Sequence, residues 1–188
     1  MRIKLVPQCL FLVILIVITV CMGDAFVRGE GAKGNPFGLM LGAKGMPLDK
    51  RFSIIKDLGA VYFRPNSVFV EGWKGFNEEC ELAETAGLKL ILTVRNNGGK
   101  MQPTIPPEDM QVYKQTLWEI LDKYRPIIIA VENEENSKIF YTGTPEEYSS
   151  QLKAACEVAH SKGIKCTNGG MVSSLVALLV YNHGTSKE

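Results

Sequence analysis

The stretch TAGLKLILTV, residues 85–94, decides the fold class of this 188-residue chain. A helical pattern stops at Gly87, a residue suited to the left-handed position after a helix, and a β-rich run begins at once. The same junction recurs in DLGA at 57–60 and in SKGI at 161–164. The chain therefore alternates helices with strands.

A fourth junction lies at Arg125-Pro126, since the residue before a proline avoids the helical region. A capping box, TPEE at 144–147, predicts the start of the following helix. Helices are expected near 49–58, before Gly87, over 107–124, from 144 onward and over 173–180. Strands are expected near 37–42, 60–64, 88–95, 127–134 and 164–170.

The strands are rich in Ile, Val and Leu and lack polar alternation, which predicts a parallel sheet buried on both faces. Two architectures remain open in this α/β class. The five strands form either the first five βα units of an incomplete TIM (β/α)8 barrel or a five-stranded doubly wound α/β sheet. Hydrophobic periodicity does not distinguish the two.

Composition and motifs exclude several function classes. The chain has 21 Lys and Arg against 20 Asp and Glu, a formal net charge of +1. It therefore lacks the excess of basic residues that nucleic-acid binding requires. The phosphate-binding glycine motifs and the zinc-protease motif are missing, and neither His160 nor His183 lies near a strand end. We therefore expect no cofactor, no metal and no serine or cysteine triad.

The N-terminus has the pattern of a secretory signal peptide. Arg2 and Lys4 precede an apolar run at 10–20, and small residues follow at Gly23 and Ala25. We expect a signal peptide over 1–23, a linker over 24–36 and one domain over 37–188. The mature protein is then secreted, without stable membrane association; the alternative is an uncleaved membrane anchor over 5–22.

Three cysteines remain after cleavage, at Cys80, Cys156 and Cys166. Their odd number argues against a disulfide framework, and their spacing does not fit a zinc site. We expect them to be small buried residues. The alternative is a single bridge between Cys156 and Cys166.

Polar residues follow the expected strands, at the edge where parallel α/β folds place their sites. The chain has FRPN at 63–66, VRNNGG at 94–99, VENEEN at 131–136 and TNGG at 167–170. Carboxylates and amides together are typical of glycoside cleavage, which needs a proton donor, a second carboxylate and groups that bind hydroxyls. Crowding among Glu132, Glu134 and Glu135 would raise the pKa of one of them toward the general-acid range.

The Asn133-Glu134 pair at the end of the fourth strand resembles clan A of the glycoside hydrolases, which are (β/α)8 retaining glycosidases. The resemblance covers 37–170 and implies that Glu134 is the acid/base and that Asn133 holds a sugar hydroxyl. It also implies that Arg64 lies beside the nucleophile. The family often has proline where this chain has Glu135.

Four further residues are candidates for contact with a carbohydrate substrate. By strand alternation Glu132 lies on the same face as Glu134, so it is the main alternative candidate for the general acid. Asn96 and Asn168 are turn amides that could also bind a ligand. Trp73, in the loop after the second strand, is placed either to stack on a sugar or to pack.

The family takes its nucleophile from the seventh strand, which this chain does not contain. We therefore expect a truncated glycosidase that is inactive as it stands and self-associates through its unpaired strand edges; the alternative is a degenerate relative of the family. The alternative function is that of a secreted, non-catalytic domain that binds carbohydrate or another small ligand at the same rim.

Overall fold

A computed structural model describes residues 37–40, 45–98 and 103–173. The expected signal peptide, the alternative anchor, the linker and all but the first residue of the helix expected over 173–180 lie outside these ranges. Within them, no helix is both long and apolar enough to cross a bilayer.

The described residues form a mixed α/β fold around a sheet in which every strand pairing is parallel. The strands are β1 (Gly38–Leu39), β2 (Tyr62–Phe63), β3 (Val68–Phe69), β4 (Lys89–Arg95), β5 (Ile128–Val131) and β6 (Lys165–Asn168). Their order is β1-β2-β4-β5-β6, with β3 also pairing with β4.

This strand order decides how far the two expected architectures agree with the structure. The strands lie side by side in the same order as they occur along the chain, with β3 beside β4. A doubly wound fold requires a point where this order reverses, and the described part of the sheet lacks one. The topology is therefore compatible with the first units of an α/β barrel.

A short strand that was not expected follows the second one: β2 lies within the expected range 60–64, whereas β3 lies in the stretch expected as a loop. β2 pairs with the start of β4 at Lys89, whereas β3 pairs with its end at Val94 and Arg95. Pro65 lies between β2 and β3 and has no backbone N–H to contribute to a ladder. The interruption leaves Arg64 at the carboxyl end of β2.

Four helices connect the strands in the described ranges: α1 (Leu48–Asp57), α2 (Glu78–Thr85), α3 (Met110–Tyr124) and α4 (Pro145–Ser161). The predicted capping box is confirmed, because the Thr144 side chain accepts from the Glu147 backbone N–H and the Glu147 side chain accepts from that of Thr144. Helix α3 begins later than expected, where Asp109 caps two backbone N–H groups.

The predicted junctions between helices and strands are also confirmed. Gly59, Gly87 and Gly163 have φ values of 64°, 72° and 71°, in the left-handed region that glycine enters without a Cβ penalty. Arg125 takes the same region with φ 41° before Pro126. These turns return each helix to the sheet.

One face of the sheet carries the core. Leu90, Leu92 and Val94 of β4 are at most 2% exposed and belong to the same buried cluster as Leu117 and Ile120 of α3. The opposite face carries two pairs: Ile91 and Ile128 are only partly buried, whereas Thr93 and Ala130 are buried. The expectation that the strands are buried on both faces therefore holds toward the carboxyl ends of β4 and β5 and fails at Ile91 and Ile128.

A disulfide joins Cys156 of α4 to Cys166 of β6, so the expectation that both are simple buried residues is wrong. The alternative bridge is the one observed. Cys80 remains a buried free thiol, and burial raises its pKa to about 12. Disulfides persist in oxidising compartments, which indicates an extracytoplasmic environment.

Breaking this disulfide should lower the free energy of unfolding by about 2–3 kcal/mol, because the bridge closes a short loop in the unfolded chain. Urea unfolding with and without a thiol reductant measures the effect. The Cys156→Ser/Cys166→Ser variant is the control and should not respond to the reductant. An equal response of both proteins would contradict a structural role for the bridge.

Candidate functional site

A strained turn follows β5 at the carboxyl edge of the sheet. β5 ends at Val131, three residues before the strand end expected at 134, because Glu132 adopts φ 64° and Glu134 adopts φ 48°. For any residue other than glycine, the left-handed backbone conformation is less stable than the right-handed one by roughly 1–2 kcal/mol. We call residues 132–136 the rim turn; strand alternation does not govern its side chains.

Glu132 is the buried anchor of the rim turn, with 0% exposure. Its Oε1 accepts from the Asn96 backbone N–H at 2.8 Å and from Gln151 Nε2 at 2.7 Å. Its Oε2 accepts from Thr104 Oγ1 at 2.5 Å and pairs with Arg95 Nε at 3.4 Å. A substrate has no access to this carboxylate, so Glu132 is a structural group and not the expected rival acid or sugar ligand.

The partners of Glu132 link three loops to α4. Arg95 also donates from Nη2 to the Phe140 carbonyl at 2.8 Å, and Thr104 forms an isolated parallel bridge with Tyr141. The Tyr141 hydroxyl in turn donates to Gln151 Oε1 at 3.0 Å. This network fixes the backbone from which Asn133 and Glu134 project.

Asn133 and Glu134 lie on the rim turn as partly buried residues. The Glu134 carbonyl accepts from the Ser137 backbone N–H at 2.8 Å, which closes the turn. Over residues 37–40, 45–98 and 103–173 neither side chain forms a hydrogen bond. Both remain available to a ligand at the edge of the sheet.

Sequence reasoning named Glu135 among three crowded glutamates but assigned it no role at the site. Asn168 Nδ2 donates to its Oε1 at 3.3 Å, and its Oε2 is buried without a well-formed hydrogen bond within the described chain. Burial raises the pKa of the Glu135 carboxyl, and interactions with its own backbone, Asn168 and Tyr148 offset part of that rise, while the Glu132 charge adds a little to it. The signals in the sequence were the crowding of three glutamates and a glutamate at a position where the resembled family often has proline.

Gly169 allows the end of β6 to approach the rim turn. A Cβ at this position would meet the Glu132 carbonyl carbon and oxygen at 2.4 Å and 2.3 Å, too close for any side chain. With the Asn168–Glu135 contact, this approach joins β6 to the rim turn. Asn168 therefore lies beside Glu135, the residue after the predicted acid.

The remaining predicted residues have partners elsewhere. Arg64 Nε donates to Thr93 Oγ1 at 2.8 Å, and Asn96, 4% exposed, donates from Nδ2 to the Ile105 carbonyl at 3.1 Å. Trp73 makes an edge contact with Tyr124 at a centroid distance of 5.9 Å. It also lines a cavity of about 340 Å³ beside the start of α3. Asn96 thus belongs to the Glu132 network, while Arg64 and Trp73 form no direct bond to the rim turn in the part of the chain that the structure describes.

Metal-binding geometry is missing from the described ranges, where no three His, Cys, Asp or Glu side chains converge as ligands. The chemistry that the site offers is that of carboxyl and amide groups.

Comparisons with known proteins give little further information. Neither a protein-family model nor a curated protein matches the chain. Among solved structures, the chain is similar to Bacteroides uniformis beta-glucuronidase 2 covalently bound to cyclophellitol-6-carboxylate aziridine, with 16% identity and a TM-score of 0.30. The match covers 61% of this chain and 13% of that one, so the chain spans a small part of that protein's length. A likeness at this level carries no argument about activity.

Proposed function

We propose that the rim turn binds carbohydrate and that Glu134 is the acid/base of a retaining glycosidase site in a partial (β/α)8 barrel of clan A type. The domain spans 37–188 of a secreted protein whose signal peptide is 1–23. The disulfide between Cys156 and Cys166 supports export, because such bridges persist in oxidising compartments.

The strained rim turn is the observation that carries this proposal. Glu132 and Glu134, on either side of Asn133, both adopt left-handed backbone, and a buried network holds Glu132 in place. Backbone strain that the surrounding structure enforces is concentrated at functional sites. Here the strain directs one carboxyl group, Glu132, into the protein and leaves another, Glu134, free on the rim.

In the proposed reaction Glu134 donates its proton to the leaving oxygen as the bond from that oxygen to the anomeric carbon breaks. A second carboxylate attacks the anomeric carbon from the opposite side. We assign that nucleophile to no residue of the described chain. Asn133 and Asn168 hold sugar hydroxyls, since an amide both donates and accepts hydrogen bonds, and Arg64 lies on the side of the nucleophile.

An external nucleophile tests the proposal in the chain as it exists. A panel of aryl β-glycosides is incubated with the protein and sodium azide, and glycosyl azide is measured by mass spectrometry. Azide attacks the anomeric carbon while Glu134 protonates the departing oxygen, so a glycosyl azide of inverted anomeric configuration is expected. Carbohydrate binding without this product would favour the non-catalytic binding domain, and neither binding nor product would contradict both functions.

A further inference from the structure

We propose that the cavity beside Trp73 binds a small organic cation with an apolar body, whose charge faces the indole ring and the carboxylates around the cavity. The cavity has a volume of about 340 Å³, within the usual range for small-ligand pockets. The described residues that line it do not include Asn133, Glu134 or Asn168, the proposed carbohydrate contacts. The inference therefore does not depend on the glycosidase function.

Three segments of the chain build the cavity: the loop after β3, the end of β4 and the stretch 107–119 around the start of α3. The Val70 backbone N–H donates to the Arg95 carbonyl at 2.8 Å, and that of Glu71 donates to the Asn96 carbonyl at 2.6 Å. The Trp73 backbone N–H donates back to the Val70 carbonyl at 3.2 Å. Because these bonds hold the loop in place, a ligand binds without having to order it.

Aromatic side chains form part of the lining. Trp73 is partly buried, and its contact with Tyr124, at a centroid distance of 5.9 Å and an interplanar angle of 79°, fixes its orientation. Tryptophan is the aromatic residue that attracts a cation most strongly to its ring face. An aromatic lining also favours the apolar part of an organic ligand over water.

The cavity also reaches a buried polar group. Tyr113 lines it and is 2% exposed. Its hydroxyl interacts with Gln151 but has no well-formed hydrogen bond within the described chain. A buried hydroxyl in this state is unfavourable, and a polar atom of a ligand that reaches it supplies a partner.

Four carboxylates give the cavity its charge: Glu71, Glu108, Asp109 and Glu119. All four residues are exposed, and the lining residues that the structure describes include no Lys, Arg or His. Acidic residues at the start of a helix are favourable in themselves, and Asp109 caps α3. Glu71 lies on the loop after β3 and Glu119 well beyond the first turn of α3, so the helix start does not explain them.

These carboxylates keep their negative charge available for a ligand. In the described ranges none of the four forms an ion pair with a basic side chain. Their side-chain partners are neutral amides: Asn97 Nδ2 donates to Glu71 Oε2 at 2.8 Å, and Gln115 Nε2 donates to Glu119 Oε1 at 3.3 Å. The field at the cavity therefore favours a positive ligand, and added salt should weaken the attraction.

Three ligands of similar shape and different charge test the proposal: 2-phenylethylamine, a cation at neutral pH, the neutral 2-phenylethanol and the anion 3-phenylpropanoate. Binding is followed at the indole N–H of Trp73 in the ¹⁵N-labelled protein. The chain has two tryptophans, so the exposed Trp118→Phe variant identifies this signal. We expect saturable shifts with the amine, binding of the alcohol about 3- to 30-fold weaker and that of the anion weaker still. Equal binding of amine and alcohol, or no saturable shift at Trp73, would overturn the proposal.

A matched pair of variants tests the contribution of the carboxylates. Glu119→Lys reverses one charge at the cavity on an exposed position of α3, and Glu146→Lys reverses one on an exposed position of α4 that does not line it. We expect Glu119→Lys to weaken binding of the amine about 2- to 30-fold and to leave binding of the alcohol unchanged. Glu146→Lys should leave both unchanged. If the two variants bind the amine equally well, the proposal fails, whatever sugar-binding experiments show for the rim turn.

Discussion

Replacing Glu134 with glutamine is expected to reduce azide-dependent cleavage of glycosides with poor leaving groups by about 10²–10⁴-fold, the usual contribution of general acid catalysis. Glutamine has the same shape as glutamic acid but has no proton to give. Activated aryl glycosides should lose much less, because a good leaving group departs with little protonation. Initial rates across leaving groups of different pKa measure the effect.

Two comparisons make this prediction specific to Glu134. The Glu146→Gln variant removes one exposed carboxylate on α4 and should keep the rates of the unmodified protein. Circular dichroism should show that Glu134→Gln keeps the fold, since the Glu134 side chain forms no hydrogen bond within the described ranges. Equal losses on poor and activated leaving groups, or no loss, would remove the acid role from Glu134.

The second large effect is expected at Glu132, where glutamine should lower the free energy of unfolding by about 3–5 kcal/mol. The substitution leaves the Arg95 guanidinium without its counter-charge at a site where the carboxylate is fully buried. Glutamine also places an NH₂ group opposite at least one of the donors from Asn96, Thr104 and Gln151. Because small domains have about 5–15 kcal/mol of stability in total, urea unfolding should detect this loss easily.

A double variant tests the cause of that loss. Glu132→Gln combined with Arg95→Met removes both charges and should recover part of the stability, because no uncompensated charge remains buried. The Glu134→Gln variant serves as the control and should change stability by less than about 0.5 kcal/mol, as is usual for residues outside such networks. A loss below about 1 kcal/mol for Glu132→Gln would contradict its role as the anchor.

Local signals allowed much of the fold to be predicted from the sequence. The glycines at 59, 87 and 163 marked the ends of helices because only a residue without Cβ enters the left-handed region freely. The capping box at Thr144 also depends on neighbours within four residues. Interactions of this kind are encoded in short stretches of sequence, so the helices and most strands were placed correctly.

The roles of the clustered glutamates could not be predicted because their partners are distant in the sequence. Glu132 binds Thr104 and Gln151, which lie 28 and 19 residues away, and Glu135 contacts Asn168, 33 residues away. Strand alternation placed Glu132 beside Glu134, but the left-handed turn at Glu132 separates their environments. The disulfide likewise depended on how α4 lies against β6.

Mapping of carbohydrate binding on the chain by NMR is the most direct measurement of whether the rim turn is a carbohydrate site. Backbone amide shifts are followed while a panel of β-linked trisaccharides is titrated into the ¹⁵N-labelled protein. We predict saturable shifts centred on Asn133, Glu134 and Asn168, with weaker binding in an Asn133→Ala variant. Saturable binding centred elsewhere, such as the cavity beside Trp73, or no binding by any of the sugars, would contradict the assignment of the rim turn.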